Sequence, residues 1–130
     1  MNDQTPEWVK KAEEDFTTIE QLFIEGKRPP LAVVCFHAQQ CVEKYLKAYL
    51  IEHSISFEKS HNLTILIDLA LPLQAEWNIH RDAMAILTNF AILSRYPDEM
   101  FINRKITQDA VDIAIEMREI ISSRIENRIK

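Results

Sequence analysis

The chain has 130 residues, 47% of them apolar, and a net charge of -5 from 20 acidic and 15 basic side chains. That length can bury a real core as one domain over 1–130. The single glycine excludes glycine-rich phosphate loops and dinucleotide folds and argues against a sheet protein with many tight hairpins. The acidic balance argues against a general nucleic-acid binder that works through nonspecific phosphate contacts.

A first helix is predicted over 6–25, with Pro6 in its first turn and Gly26 as its stop. Val9, Ala12, Phe16, Ile19 and Phe23 recur at three- and four-residue steps and form one apolar face. Asp15 lies on the edge of that face. A lone buried carboxylate is costly, so a cation from a neighbouring helix is expected beside it, with Lys44 and Arg118 the leading candidates.

A second helix is predicted over 29–52. Its inward face reads Leu31, Val34, Cys35, Ala38, Val42, Tyr45 and Tyr49. The opposite side holds Gln40, Glu43, Lys44 and Lys47 but also Val33 and Phe36, so its N-terminal half is expected to be covered on two sides, by other helices or by a second subunit. Cys35 and Cys41 lie six residues apart on this helix, about 9 Å by its rise. That is too far for a disulfide, and they are expected to be core thiols.

A polar stretch over 54–60 leads to a short helix over 62–71, capped by Ser60 or Asn62 and ended by Pro72. A fourth helix is predicted over 78–95, with Ala83, Leu87, Phe90 and Ala91 facing in and Ile92 and Leu93 facing away. Pro97 closes it, because it biases Tyr96 out of the helical region. The last helix is expected to start at Thr107 as its cap, with Asp109 near the positive end of the helix dipole. Ala110, Ala114, Met117, Ile121 and Ile125 form its core stripe, and Asp112, Glu116, Glu119 and Glu126 a solvated acidic side. With no alternating strand pattern, the expected fold is an all-α, up-and-down bundle of four or five helices. The longest purely apolar run, 31–36, is too short to span a bilayer, and the N-terminus lacks a signal-peptide pattern, so a cytoplasmic protein is expected. No metal site and no cofactor are expected.

Four elements in order carry a resemblance: Ala12-x-x-Asp15-Phe16, the run from Gln39 through Cys41, Glu43, Lys44 and Tyr45 to Ala48, then Lys59-Ser60-His61-Asn62-Leu63, and Arg95-Tyr96-Pro97-Asp98. Together they resemble the HEPN domain, over roughly residues 6–128. The resemblance implies a helical bundle and, for function, either a ribonuclease or a toxin partner of a small nucleotidyltransferase. The nucleases of that family resemble one another in an Arg, a run of four to six residues, then a His. Here Arg95 is followed by Tyr96, Pro97, Asp98, Glu99, Met100, Phe101 and Ile102, with no His in range.

A metal-free RNA-cleaving site needs a base, an acid and a cation. Arg95 can supply only the cation, while Asp98 is a candidate base and Tyr96 a weak acid. His61 is the other candidate base, if the fold brings it near Arg95; its alternative role is a helix-end hydrogen bond. Lys44 and Lys47, with Arg95, are candidates to hold the phosphates of a nucleotide; alternatively Lys47 only supports its helix through Glu43 one turn away. Val33, Phe36, Ile92 and Leu93 are apolar residues off the core stripes and the expected homodimer interface. Three readings follow. The preferred one is a dimeric interaction module paired with a small nucleotidyltransferase in a toxin–antitoxin-like system. The others are a metal-independent ribonuclease centred on Arg95, and a nucleotide-binding module without chemistry.

Overall fold

A computed structural model describes residues 2–93 and 102–129, the side chains of Ile92, Leu93 and 127–129 excepted. Arg95, Tyr96, Pro97 and Asp98 lie outside the described residues, as do the side chains of Ile92 and Leu93. Helix α1 (Thr5–Ile19) continues into a π-helical turn (Glu20–Ile24) and is followed by α2 (Leu31–Glu52), α3 (Leu63–Ala70), a 3₁₀ turn (Ala75–His80), α4 (Arg81–Leu93) and α5 (Arg104–Ile129). No strand occurs among the described residues, so the expected all-α bundle is the fold observed.

α2 is the central element, packed against α1, α3, α4 and α5. This follows from its sequence: every residue from Tyr45 to Leu50 is buried, so no side of that stretch meets solvent. Within one chain the full covering falls on the C-terminal half. At the N-terminal half, predicted to be covered on two sides, Val33 is exposed and Phe36 only half-buried. α1 buries Ala12, Asp15, Phe16 and Ile19 against α2, and the π turn adds Phe23. α5 contributes the predicted stripe Ala110, Ala114, Met117, Ile121 and Ile125, with Val111 beside it. Its predicted acidic side, Asp112, Glu116, Glu119 and Glu126, is exposed. Both cysteines are buried and free, and burial pushes each thiol up from its ordinary value.

Local chemistry departs from the predicted caps at three places. Gly26 does stop the first helical stretch, but no glycine has a positive φ. Its requirement is space, because a Cβ there would lie 2.3 Å from the Leu22 carbonyl oxygen. The left-handed residue is Ser54, at φ 57°. It ends α2 in a Schellman turn, with Ile55 N donating to Leu50 O at 2.8 Å and Ser54 N to Ile51 O at 3.1 Å. At α5 the cap is Asn103, whose Oδ1 accepts from Ile106 N at 2.8 Å, not Thr107. Thr107 is buried within the helix; its hydroxyl donates to Asn103 O and accepts from Cys35 Sγ. Asp109 therefore lies beyond the first turn and pairs with Lys105.

The stretch predicted as one helix over 78–95 is a 3₁₀ turn followed by α4. Its inward face differs in part. Met84, Leu87, Thr88 and Phe90 are buried, while Ala83 and Ala91 are half-covered. Trp77, in the 3₁₀ turn, packs under Tyr49 at 4.8 Å between ring centroids.

Candidate functional site

Three carboxylates link α2 to its neighbours, and each gathers two or more partners. The first is Glu43, only 4% exposed at its side chain. Its Oε1 accepts from Gln39 Nε2 at 3.1 Å and from His61 Nδ1 at 2.9 Å, and its Oε2 accepts from Lys47 Nζ at 3.1 Å. Lys47 is itself buried, its ammonium 5.7 Å from the Trp8 ring centre and 5.9 Å from that of Phe57. Gln39, one turn before Glu43, also donates to the His61 carbonyl at 3.0 Å, and its Oε1 accepts from Gln40. One turn of α2 thus holds both the ring and the main chain of His61. The imidazole remains 54% exposed.

His61 owes its place to the chain that follows it. Ser60 Oγ accepts from Asn62 N, Asn62 Oδ1 caps α3 by accepting from Thr64 N, and Leu63 N donates to Thr88 Oγ1 of α4. Of the two expected caps Asn62 is the one that serves α3, while Ser60 holds the N–H of Asn62 itself. The bend before α3 is therefore pinned from two sides.

The second carboxylate is Asp15, which pairs with Lys44 Nζ at 2.6 Å and accepts from His37 Nδ1 at 2.8 Å. Of the two cations expected there, Lys44 is the partner. Arg118 goes instead to the third carboxylate, Glu13, in a two-pronged contact at 2.7 Å for each nitrogen. Tyr45 also donates its hydroxyl to Glu13, and the Arg118 guanidinium lies 4.1 Å over the Phe16 ring. The Arg118 hydrogen bonds hold the Glu13 carboxyl below its ordinary range, while Arg118 is shifted upward by the same contact. Burial, first, and the Glu13 contact push the Tyr45 phenol up.

The lysines proposed to hold phosphate are thus both engaged: Lys44 with Asp15, Lys47 with Glu43. Glu43 and Lys47, placed by periodicity on the outward side of α2, lie inside the protein. Periodicity equates polar with outward, and it fails on a helix surrounded by others. The Glu43–Lys47 pair expected from their spacing is present, while its burial and its contact with His61 are not legible from periodicity. Among the described residues no three His, Cys, Asp or Glu side chains converge to hold a metal ion, and no helix is long and apolar enough to cross a membrane. A separate cavity of about 280 Å³ lies between the 3₁₀ turn and α5 and includes Trp77 and Ile79. At its edge His80 is 3.7 Å from Glu116 and Arg124 is 3.3 Å from Glu76.

The family model of the HEPN domain matches residues 5–126. The chain belongs to the HEPN domain family. A similar fold is that of a crystal structure described as ST0689, an archaeal HEPN homologue, with a TM-score of 0.67 at 21% identity. The match covers 93% of this chain and 97% of that one, and at this identity it speaks for the fold alone. No curated protein matches. Within this HEPN chain the Glu43–His61 contact joins two of the sequence elements that carried the resemblance, and the Asp15–Lys44 contact joins the first of those two to a third.

Proposed function

We propose that this HEPN chain is a dimeric interaction module whose partner is a small nucleotidyltransferase, in a toxin–antitoxin-like pair. The observation that carries the reading is the exposure of large apolar side chains near the end of the first helical stretch and the start of α2. Ile24 is 57% and Val33 44% exposed there, and Phe36 is half-buried one turn further on. Large apolar side chains left in solvent are the usual substance of an interface. Engagement of both Lys44 and Lys47 by carboxylates counts in the same direction, because it leaves the nucleotide-binding reading without its two α2 cations. The test is co-expression with a nucleotidyltransferase encoded beside this chain. Co-purification at fixed stoichiometry, lost in Val33→Asp, is expected; separate elution of the two wild-type proteins rejects the pairing.

A second reading, a metal-independent ribonuclease, is favoured by one observation. The half-exposed His61 ring, oriented by a buried carboxylate, is an arrangement suited to proton transfer. A toxin held by a partner protein is compatible with both readings. Incubation of the purified chain with RNA in the presence of chelator tests the second directly: cleavage supports it, and intact RNA removes it.

A further inference from the structure

We propose that the cavity between the 3₁₀ turn and α5 is a binding site for a free α-amino acid with an apolar side chain. It shares no residue with the cluster around His61 and stands whichever reading of the function holds.

The cavity measures about 280 Å³, just below the range of about 300–1,000 Å³ for drug-sized sites, so its occupant is small. Its apolar wall is Trp77, Ile79 and Ile120. Trp77 is buried beside Tyr49 and Ile120 half-buried against the core, while Ile79 is 81% exposed. An apolar side chain left in water beside a cavity is covered when the cavity fills.

The polar wall carries one formal charge of each sign. Glu76 from the 3₁₀ turn and Arg124 from α5 meet at 3.3 Å through a single contact of Nη2 with Oε1. That contact leaves most of the guanidinium N–H donors and one carboxylate oxygen unused, and among the described residues neither side chain has a further partner. His80 is unspent too. Its side chain is only 13% exposed, yet its Nδ1 lies 3.7 Å from Glu116 Oε1, beyond hydrogen-bond length. Among the described residues its ring has no hydrogen-bond partner, a costly state for a mostly covered polar group unless the cavity's contents supply one.

These groups select a zwitterion. A lone anion would meet the carboxylates of Glu76 and Glu116, and a lone cation would meet Arg124. An α-amino acid carries its ammonium nitrogen about 2.5 Å from its carboxyl carbon, so it can lie head to tail along the 3.3 Å ion pair. Its carboxylate accepts from the free N–H groups of Arg124 and from the His80 ring N–H, and its ammonium donates to Glu76 Oε2. Its side chain covers Trp77, Ile79 and Ile120. A side chain from the interior of a partner protein has neither α-charge and would leave the ion pair unused.

Calorimetric titration of the full chain with L-leucine tests the site, beside isocaproate, which lacks the ammonium, and isoamylamine, which lacks the carboxylate. Leucine is expected to bind at about 1 mM or tighter. Each analogue should bind at least about tenfold more weakly, having lost a charge-assisted hydrogen bond. Arg124→Gln and Glu76→Gln, both at half-exposed side chains, should each weaken leucine by about tenfold or more with helical circular dichroism unchanged. In a Trp8→Phe background Trp77 is the sole indole, and its emission should change saturably with leucine. No heat and no emission change at about 10 mM leucine overturns the site. Binding that survives in both folded variants, or that leaves Trp77 emission unchanged, places leucine elsewhere and overturns it as well. An analogue that matches leucine makes the ligand a lone ion and rejects the zwitterion. The analogue series uses the wild-type chain, so it decides even where a variant fails to fold.

Discussion

Asp15 shows how far a single residue can be reasoned from sequence. An acid on the edge of an apolar stripe requires a cation, and Lys44 supplies it at 2.6 Å with His37 alongside. Removing one member of a buried pair strands the other, so Asp15→Ala is expected to cost about 3 kcal/mol; a loss under about 1 kcal/mol in urea denaturation would mean that the pair is effectively solvated. The identity of the partner was only partly legible, because Arg118 also sits beside an apolar stripe and needs an acid. What directs it to Glu13 is the approach of α5 to α1, a three-dimensional fact that helix periodicity does not contain. The Glu13 contact also has a pH signature. Its carboxyl is held low in the folded protein, so its contribution is present above the ordinary carboxylate value, about 4.3, and is lost as pH falls through the lowered folded value. With Glu13 more than a third exposed, solvent screening keeps the contribution to about 1 kcal/mol. Thermal melts of wild type and Glu13→Gln should differ at pH 6 and converge toward pH 2; a constant gap would contradict the linkage.

At the scale of elements, helix existence was legible and helix ends less so. Apolar spacing placed all five helices, since each must turn one stripe toward a core. The ends depend on single contacts. The chain's one glycine is spent where a side chain has no room, at Gly26 against Leu22 O, and the left-handed end of α2 is left to Ser54. Two opposite outcomes are expected. Gly26→Ala must displace the carbonyl or the chain and should cost about 1–3 kcal/mol. Ser54→Gly relieves a left-handed L-residue and should add about 0.5–1 kcal/mol. Equilibrium denaturation of the two variants checks both signs, and a destabilised Ser54→Gly would show that the serine side chain contributes more than its backbone strain costs. The face of α4 is set by its packing: Leu87 and Phe90 are buried as their spacing implies, and Met84 and Thr88 join them, with Thr88 accepting from Leu63 N at the start of α3.

On the scale of the whole molecule, α2 explains both what was legible and what was not. A central helix is apolar on most sides, which is why its length and ends were evident from sequence. It also carries its polar residues inward, so Glu43 and Lys47 became a buried support for His61 when periodicity had set them toward solvent. The apolar residues that α2 leaves outside lie at its other end, in Val33 and, partly, Phe36, and Ile24 of the π turn is exposed as well. A two-fold contact would cover this group on both copies with one surface, the commonest way a small protein removes such a patch from water. Wild type is therefore expected to sediment as a dimer at micromolar concentration. Val33→Asp, which puts a charge on an already exposed site, should give a monomer with unchanged helical circular dichroism, because no core contact is lost. Phe36→Asp should also dissociate the dimer, but with some loss of stability, since half of that ring is already covered within one chain. A wild-type monomer, or a Val33→Asp chain that still dimerises, would move the interface away from this end of the molecule.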